Sequence, residues 1–242
     1  MAFWWNQHRE DGNFRDNFIR SYLFLGQNRY FPPLKQSLKW NDRASESLRT
    51  DVLTMFGELG GPEVYPSIMR GLSDNSSDVR RAAVIAAGKQ KMTSSIHVLE
   101  EILRTSDNAE LVVDSARALS QIGKPASVRL LAQALDKWLA NPGVACQIID
   151  ALSAWNTGEV ESAMKRFVNS ATPWAEESPE SDRNRFYFND IRPNAGIEGA
   201  IRWAIRNNRK TMAKDIAPYI DCSSPRHRAL AQAAAYYFAD TN

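Results

Sequence analysis

The sequence predicts an all-α fold, an α-solenoid (superhelix) of about five to six short helix pairs with irregular capping ends. Three observations support this prediction. One apolar pattern recurs at a period of 31 to 33 residues, a polar break follows each copy, and a second amphipathic run follows each break. Self-similarity at such a period is the sequence signature of a stacked repeat architecture.

The first helix of each pair is predicted from an apolar stripe. In the central copy, offsets of 4, 7, 8 and 11 from Val79 lie on one side of a helix with 3.6 residues per turn. A fifth, irregular copy aligns Phe24, Leu25 and Gly26 with the same frame. The four regular stripes are Leu48, Val52, Met55, Phe56 and Leu59; Val79, Ala83, Ala86, Ala87 and Gln90; Leu111, Ser115, Ala118, Leu119 and Ile122; and Val144, Ile148, Ala151, Leu152 and Trp155.

A second amphipathic run follows the break of each copy, and these runs begin at Pro32, Pro62, Ser94, Pro125 and Glu159. Proline in the first turn of a helix loses no hydrogen bond, because that amide has no partner within the helix. A single pair of such short helices buries too little apolar surface to offset the entropy of ordering its backbone. The pairs are therefore expected to stack on one another.

The central copy carries a recognisable motif. Its DVRRAA run begins at Asp78 and leads into an apolar helix, a polar turn and a second helix of the form V-x-x-L-x-x-x-L. This pattern resembles the short HEAT-like repeats first described in phycobilin lyases, over residues 17–168 and in a degenerate copy after 194. In that family the helix with this motif lines the concave face, which would place Asp78, Val79 and Arg80 there. Such repeats occur in lyase subunits, scaffolds and DNA-repair enzymes. The resemblance therefore implies the fold and does not identify the function.

The chain is predicted to be one domain, 1–242, with four segments. They are an N-terminal aromatic cap at 1–16, regular repeats at 17–168, an insertion loop at 169–193, and a degenerate repeat with a capping helix at 194–242. Phe3, Trp4, Trp5, His8 and Phe14 either cover the open end of the stack or form an aromatic patch that docks a partner.

Composition excludes several functional classes. A formal charge of +2 over 242 residues gives no global field that would attract nucleic acid. No apolar run reaches the roughly 18 residues of a membrane span. Cys146 and Cys222 are expected to be free thiols, which suits a cytoplasmic location. His8, His97 and His227 lack metal-ligand spacing, and no phosphate-binding loop or nucleophile motif is present. We therefore predict no catalytic residues, no cofactor and no metal.

Six residues are candidates for the concave face: Arg80, Arg81, Ile85, Asp114, Arg117 and Asp150. They form a surface of mixed sign, which fits a segment of another protein better than a uniformly anionic phosphate backbone. The alternative is a solvated face with salt bridges between neighbouring repeats. In the insertion, Phe186, Tyr187 and Phe188 either pack the loop onto the repeats or contribute to a ligand site at the end of the groove.

Helical spacing near the C-terminus places Arg202, Arg206, Arg209 and Lys210 in one basic stripe and Trp203 on a neighbouring face. Such a stripe is either a solvated face or a patch that binds an acidic partner or a phosphate backbone. The AIRWAIRNNRK segment resembles the tryptophan- and arginine-bearing helix of the alkylpurine DNA glycosylases built from HEAT-like repeats. That resemblance implies DNA binding or base excision as an alternative function. The main hypothesis from the sequence is a non-catalytic scaffold or adaptor that holds another protein in its groove.

Overall fold

The computed structural model describes residues 7–8, 11, 14, 45–176 and 193–240. These residues form helices joined by short 3-10 turns and contain no β-strand. The chain divides into two compact units, Met1–Gly123 and Lys124–Asn242. The predicted all-α fold is confirmed.

The first unit contains five described α-helices. They are α1 (Glu46–Leu59), α2 (Tyr65–Leu72), α3 (Ser77–Lys89), α4 (Ile96–Thr105) and α5 (Ala109–Ile122). The 3-10 turns Pro62–Val64 and Thr93–Ser95 precede α2 and α4. Helix α3 packs between α1 and α5, whereas α2 packs against α3 and α4 against α5. Helices α1, α3 and α5 are thus the stacked first helices of successive pairs.

A side-chain cap sets where each first helix begins. Ser45 Oγ accepts from the amide of Leu48 at 3.3 Å, and Ser76 Oγ accepts from that of Val79 at 3.4 Å. Asn108 Oδ1 likewise accepts from the amide of Leu111 at 3.0 Å. Such caps satisfy amides that have no carbonyl partner within the helix. In all three helices the capped amide belongs to the first residue of the predicted apolar stripe, so the cap and the stripe have the same register.

The predicted stripes form the core of the first unit. Their members in α1, α3 and α5 are buried, except Gln90 and Ile122, which are partly exposed, and Leu59, whose side chain lies outside the described ones. The stacked helices approach closely at Gly88, where an added β-carbon would lie 2.7 Å from the α-carbon of Ala118. Glycine is therefore required at this crossing by close backbone packing.

The second unit contains six described α-helices. They are α6 (Val128–Trp138), α7 (Pro142–Leu152), α8 (Gly158–Glu176), α9 (Pro193–Arg206), α10 (Ala213–Ile216) and α11 (Pro225–Asp240). Helix α9 packs between α7 and α11, and α8 packs against α6 and α9. The 3-10 turns Pro125–Ser127, Lys210–Met212 and Ala217–Tyr219 complete the unit. This unit therefore also consists of stacked helices.

Helix α8 runs to Glu176, so the helix continues beyond residue 169, where the insertion loop was predicted to begin. The reason is that the apolar spacing of α8 continues past that boundary, with Phe167, Val168 and Ala171 all buried. The predicted aromatic patch at Phe186, Tyr187 and Phe188 lies outside the described residues. So do the first irregular pair at 17–40 and most of the N-terminal aromatic cap.

Candidate functional site

An open depression with a volume of about 670 Å³ lies between α1 and α3 of the first unit. Ile85 of α3 lies in it with 39% of its surface exposed, unlike the buried apolar side chains around it. We call this surface the α1–α3 depression. Its described lining consists of Glu46, Ser47, Thr50, Asp51 and Thr54 from α1 and Asp78, Arg81, Ala82 and Ile85 from α3.

Arg81 is held in place by carboxylates of the next first helix. Its Nε donates to Oδ2 of Asp114 at 2.9 Å, and its terminal nitrogen pairs with Glu110. Arg117 lies 3.6 Å from the other carboxylate oxygen of Asp114. The side chain of Asp114 is only 6% exposed, whereas that of Arg117 is 52% exposed. Arg81, Asp114 and Arg117 therefore form a network that links α3 to α5, as the alternative interpretation of the sequence expects.

Two other predicted residues lie elsewhere. The guanidinium of Arg80 donates to the backbone carbonyls of Asp74 at 2.7 Å and Asn75 at 2.9 Å. It therefore stabilises the turn between α2 and α3 and is not part of the lining of the depression. Asp150 belongs to α7 in the second unit. Of the six predicted residues, Arg81 and Ile85 line the α1–α3 depression.

The sequence analysis placed Asp78 on the concave face through the family resemblance, but it did not single out Glu46 or Glu110. Glu46, Asp78 and Glu110 each lie in the first turn of a first helix, and they are 32 residues apart. Asp51 adds a further carboxylate one turn along α1. The equal spacing of the three first-turn acids is a signal that a search for repeated charged positions would have found.

Comparison with known proteins gives one family match. The model of HEAT repeats matches residues 31–113, about a third of the chain, and includes α1 to α4. Residues 31–113 are therefore HEAT-like repeats. No curated protein and no solved structure gave a significant match to the chain. Its assignment to the phycobilin-lyase type of repeat therefore stays a prediction.

In the second unit, the predicted basic patch separates into side chains that bond to the turn after α7 and side chains that do not. Trp203 is 1% exposed, and its Nε1 donates to the carbonyl of Trp155 at 2.9 Å. Arg206 donates to the carbonyl of Ser153 at 2.8 Å, and Arg209 to Oδ1 of Asn156 at 2.6 Å. These side chains hold α9 against the turn that follows α7, and a buried tryptophan cannot stack on a nucleic-acid base.

The remaining basic residues differ from this group. Arg202 is 67% exposed and lies 3.5 Å from Glu198, while Lys210 is partly buried. Arg202 and Arg206 line a small depression together with Asp150. The structure thus places Asp150 beside the arginines of α9, a grouping that the sequence did not predict.

Cys146 lines this small depression, and its thiol is not activated as a nucleophile. Burial raises the pKa of the Cys146 thiol to about 11, although hydrogen bonds from the amides of Gly196 and of Cys146 itself act in the opposite direction. The thiol is therefore protonated at neutral pH, and it is the thiolate that acts as a nucleophile. Among the described residues, no group of three or more His, Cys, Asp or Glu side chains is arranged to hold a metal ion.

Among the residues that the structure describes, no helix combines the length and the apolar character that crossing a bilayer requires.

Proposed function

We propose that the HEAT-like repeat protein is a non-catalytic scaffold that holds a segment of a partner protein on the first helices of its first unit. The observation that carries this proposal is the position of Ile85, an exposed isoleucine surrounded by polar side chains in the α1–α3 depression. Protein interfaces have this composition, with an apolar centre inside a polar rim. HEAT repeats commonly act as scaffolds for protein interactions.

The form of the site also favours a protein ligand. Small-molecule sites enclose most of the ligand surface in a cleft or cavity. The α1–α3 depression is open to solvent and is bounded by two stacked helices. A side chain of a partner segment can contact Ile85 there while its backbone and polar groups lie along Thr50 and Thr54.

The cysteines support a cytoplasmic location for this scaffold. Cys146 is buried and Cys222 is partly buried, and both are free thiols. Free thiols persist in a reducing compartment.

The experiment that tests the proposal is co-purification of bound proteins with the full chain. Ile85→Asp places a charge in the depression, and His97→Asp places the same charge at an exposed position of α4, a second helix. We expect a specific partner to be retained by the wild-type chain and by His97→Asp but lost with Ile85→Asp. Circular dichroism confirms that both variants are folded. Retention of the same proteins by Ile85→Asp contradicts the proposal.

A further inference from the structure

We infer that two copies of this chain associate through the exposed face of α11, with the two helices antiparallel about a twofold axis at Ala233. This inference goes beyond the proposed function, because α11 belongs to the second unit and the α1–α3 depression to the first. The spacing, the side-chain sizes and the charges along that face support it.

Helix α11 has one buried face and one exposed face. It packs against α9, and His227, Ala231, Ala234 and Phe238 are buried. At 3.6 residues per turn, the opposite side carries five exposed residues at intervals of three, four, three and four. This alternation is the spacing of a seam between two helices. We call these residues the outer stripe, and they are Arg226, Ala229, Ala233, Tyr236 and Asp240.

The outer stripe combines one large uncovered side chain with small ones. Tyr236 is 75% exposed, and tyrosine is enriched at the centres of protein interfaces. Ala229 and Ala233 have short side chains, so a second helix can approach closely there. In an antiparallel pair centred on Ala233, Tyr236 lies within about 1.5 Å, one helical rise, of the level of the partner's Ala229. Each tyrosine can therefore pack over an alanine of the other copy.

The charges of the outer stripe lie at its two ends. Arg226 belongs to the first turn of α11 and Asp240 is its last residue, and residues 229–239 include no charged side chain. The dipole of a single helix favours the reverse order, with acidic groups at the N-terminus and basic groups at the C-terminus. Within the part of the chain that the structure describes, neither Arg226 nor Asp240 forms an ion pair. Both charges are therefore placed for a partner that brings the opposite sign to each end.

A second copy of α11 is such a partner. Ala233 lies seven residues from Arg226 and seven from Asp240, which is about 10.5 Å along the helix in each direction. A twofold axis at Ala233 thus places Arg226 of each copy opposite the partner's Asp240, as a self-complementary interface requires. A parallel pair would instead bring like charges together at both ends. The arrangement of the charges therefore favours the antiparallel pair.

The interface is expected to be small. Helix α11 has 16 residues, so it is about 24 Å long. A contact along one helix of this length lies at the low end of the range of specific interfaces. We therefore expect a reversible dimer whose population rises with protein concentration.

Sedimentation velocity of the full chain over a range of micromolar concentrations tests the inference. We expect the wild-type chain to shift from monomer to dimer as the concentration rises. Ala233→Glu places two like charges at the axis and should raise the dissociation constant of the dimer at least about tenfold. The matched control is Ala235→Glu, which adds the same charge at an exposed position of α11 outside the outer stripe. It should leave that constant unchanged, and circular dichroism confirms that both variants are folded.

Charge reversal tests the antiparallel order. Arg226→Asp should raise the dissociation constant about two- to tenfold, because both end pairs become repulsive. Combining it with Asp240→Arg should restore dimer formation, because the same pairs form again with the charges exchanged. A double variant that associates no better than Arg226→Asp overturns the inference. So does a chain that stays monomeric throughout, or a dimer that Ala233→Glu weakens no more than Ala235→Glu.

Discussion

Arg81 and Asp114 join two stacked first helices through a hydrogen bond of 2.9 Å from the guanidinium Nε to the carboxylate. Asp114 is nearly excluded from solvent, with 6% of its side chain exposed. A carboxylate in such a position needs hydrogen-bonding partners, because an unpaired buried charge is costly. This pair therefore contributes to the stacking of α3 on α5 as well as to the rim of the α1–α3 depression.

The first prediction is that Arg81→Ala lowers the free energy of unfolding by about 1–3 kcal/mol, since it removes the hydrogen bond to the nearly buried Asp114. Urea unfolding followed by circular dichroism measures this change. Arg104→Ala is the control, because Arg104 is 67% exposed and pairs with Glu101 on the surface. It should change the free energy of unfolding by less than about 0.5 kcal/mol. Equal effects of the two substitutions would refute the structural role of Arg81.

The second prediction concerns Gln90, which links the C-terminal ends of α1 and α3. Its Nε2 donates to the carbonyl of Gly57 at 2.7 Å, and its Oε1 accepts from the amide of Gly61 at 3.3 Å. Gln90→Leu should lower the free energy of unfolding by about 1–3 kcal/mol, because both backbone groups lose a partner in a partly buried position. Gln90→Glu keeps the acceptor and loses the donor. Its urea midpoint should therefore lie between that of Gln90→Leu and that of the wild type. A midpoint for Gln90→Leu equal to that of the wild type contradicts this account.

The third prediction uses Gly88, where α3 and α5 cross. Gly88→Ala would place a β-carbon 2.7 Å from the α-carbon of Ala118, so the helices must separate. We expect a loss of about 1–3 kcal/mol in the free energy of unfolding from this overpacking, opposite in sign to the gain of about 1 kcal/mol from helix propensity. Thermal and urea unfolding measure it.

Gly158→Ala is the matched control for this crossing. No atom lies within 4 Å of an added β-carbon at Gly158, the first residue of α8. This control should be neutral or slightly stabilising. If Gly88→Ala also raised the unfolding midpoint, the close helix crossing would be disproved.

The fourth prediction concerns pH and Asp74. Burial acts to raise the pKa of this carboxyl, but hydrogen bonds from the Arg49 side chain and the Ser76 amide, with the charges of Arg49 and Arg80, hold it below its ordinary value of 3.8. Because the folded protein holds the proton less tightly than the unfolded chain, Asp74 stabilises the fold above about pH 4. That contribution is lost as the pH falls through the lowered pKa of the folded state.

Asp74→Asn tests this dependence. At pH 7 the substitution should lower the free energy of unfolding, because it removes the charged partner of Arg49 at 2.9 Å. At about pH 3 the difference between the variant and the wild type should be smaller, since this carboxyl is then partly protonated in the unfolded wild-type chain. Urea unfolding at both pH values measures it. A difference that is the same at pH 3 and pH 7 would show that ionisation of Asp74 does not stabilise the fold.

The repeat frame could be predicted from the sequence because its signals are local. Val79 and Ala83 are buried on α3 as their spacing predicts, and Ser76 caps the same helix three residues before Val79. Cap and stripe both depend on residues within one helix, so no knowledge of the tertiary packing is needed to place them.

The directions of the long polar side chains could not be predicted in the same way. Arg80 and Arg81 are adjacent in sequence, yet Arg80 donates to the turn before its own helix and Arg81 donates to the next first helix, α5. Asp150 lies beside Arg202 because α7 packs on α9. In the sequence, residues 177–192 interrupt the repeat period between those helices, so the period does not predict this pairing. A flexible side chain selects partners that only the folded packing provides.

The last prediction separates Arg209, which bonds to the turn after α7, from Arg202, which is exposed on α9. Arg209 pairs with Glu161 at 3.2 Å, and its guanidinium carbon lies 5.7 Å from the ring centroid of Trp203. The pKa of Glu161 is lowered by hydrogen bonds from Lys165 and Thr211 and by the nearby charges of Lys165 and Arg209, whereas burial acts to raise it. Arg209→Ala removes one of these cations and the bond to Asn156, so the free energy of unfolding should fall by about 1–3 kcal/mol.

Arg202→Ala is the control for this prediction, because Arg202 is 67% exposed. It should change the free energy of unfolding by less than about 0.5 kcal/mol. Fluorescence anisotropy with duplex DNA at about 50 mM salt then tests the alternative function. If the exposed face of α9 bound the phosphate backbone, Arg202→Ala would weaken binding and reduce its salt dependence without a change in stability. We expect no such binding, because Arg206 and Arg209 are directed to the turn after α7. DNA binding that depends on Arg202 would favour the nucleic-acid interpretation.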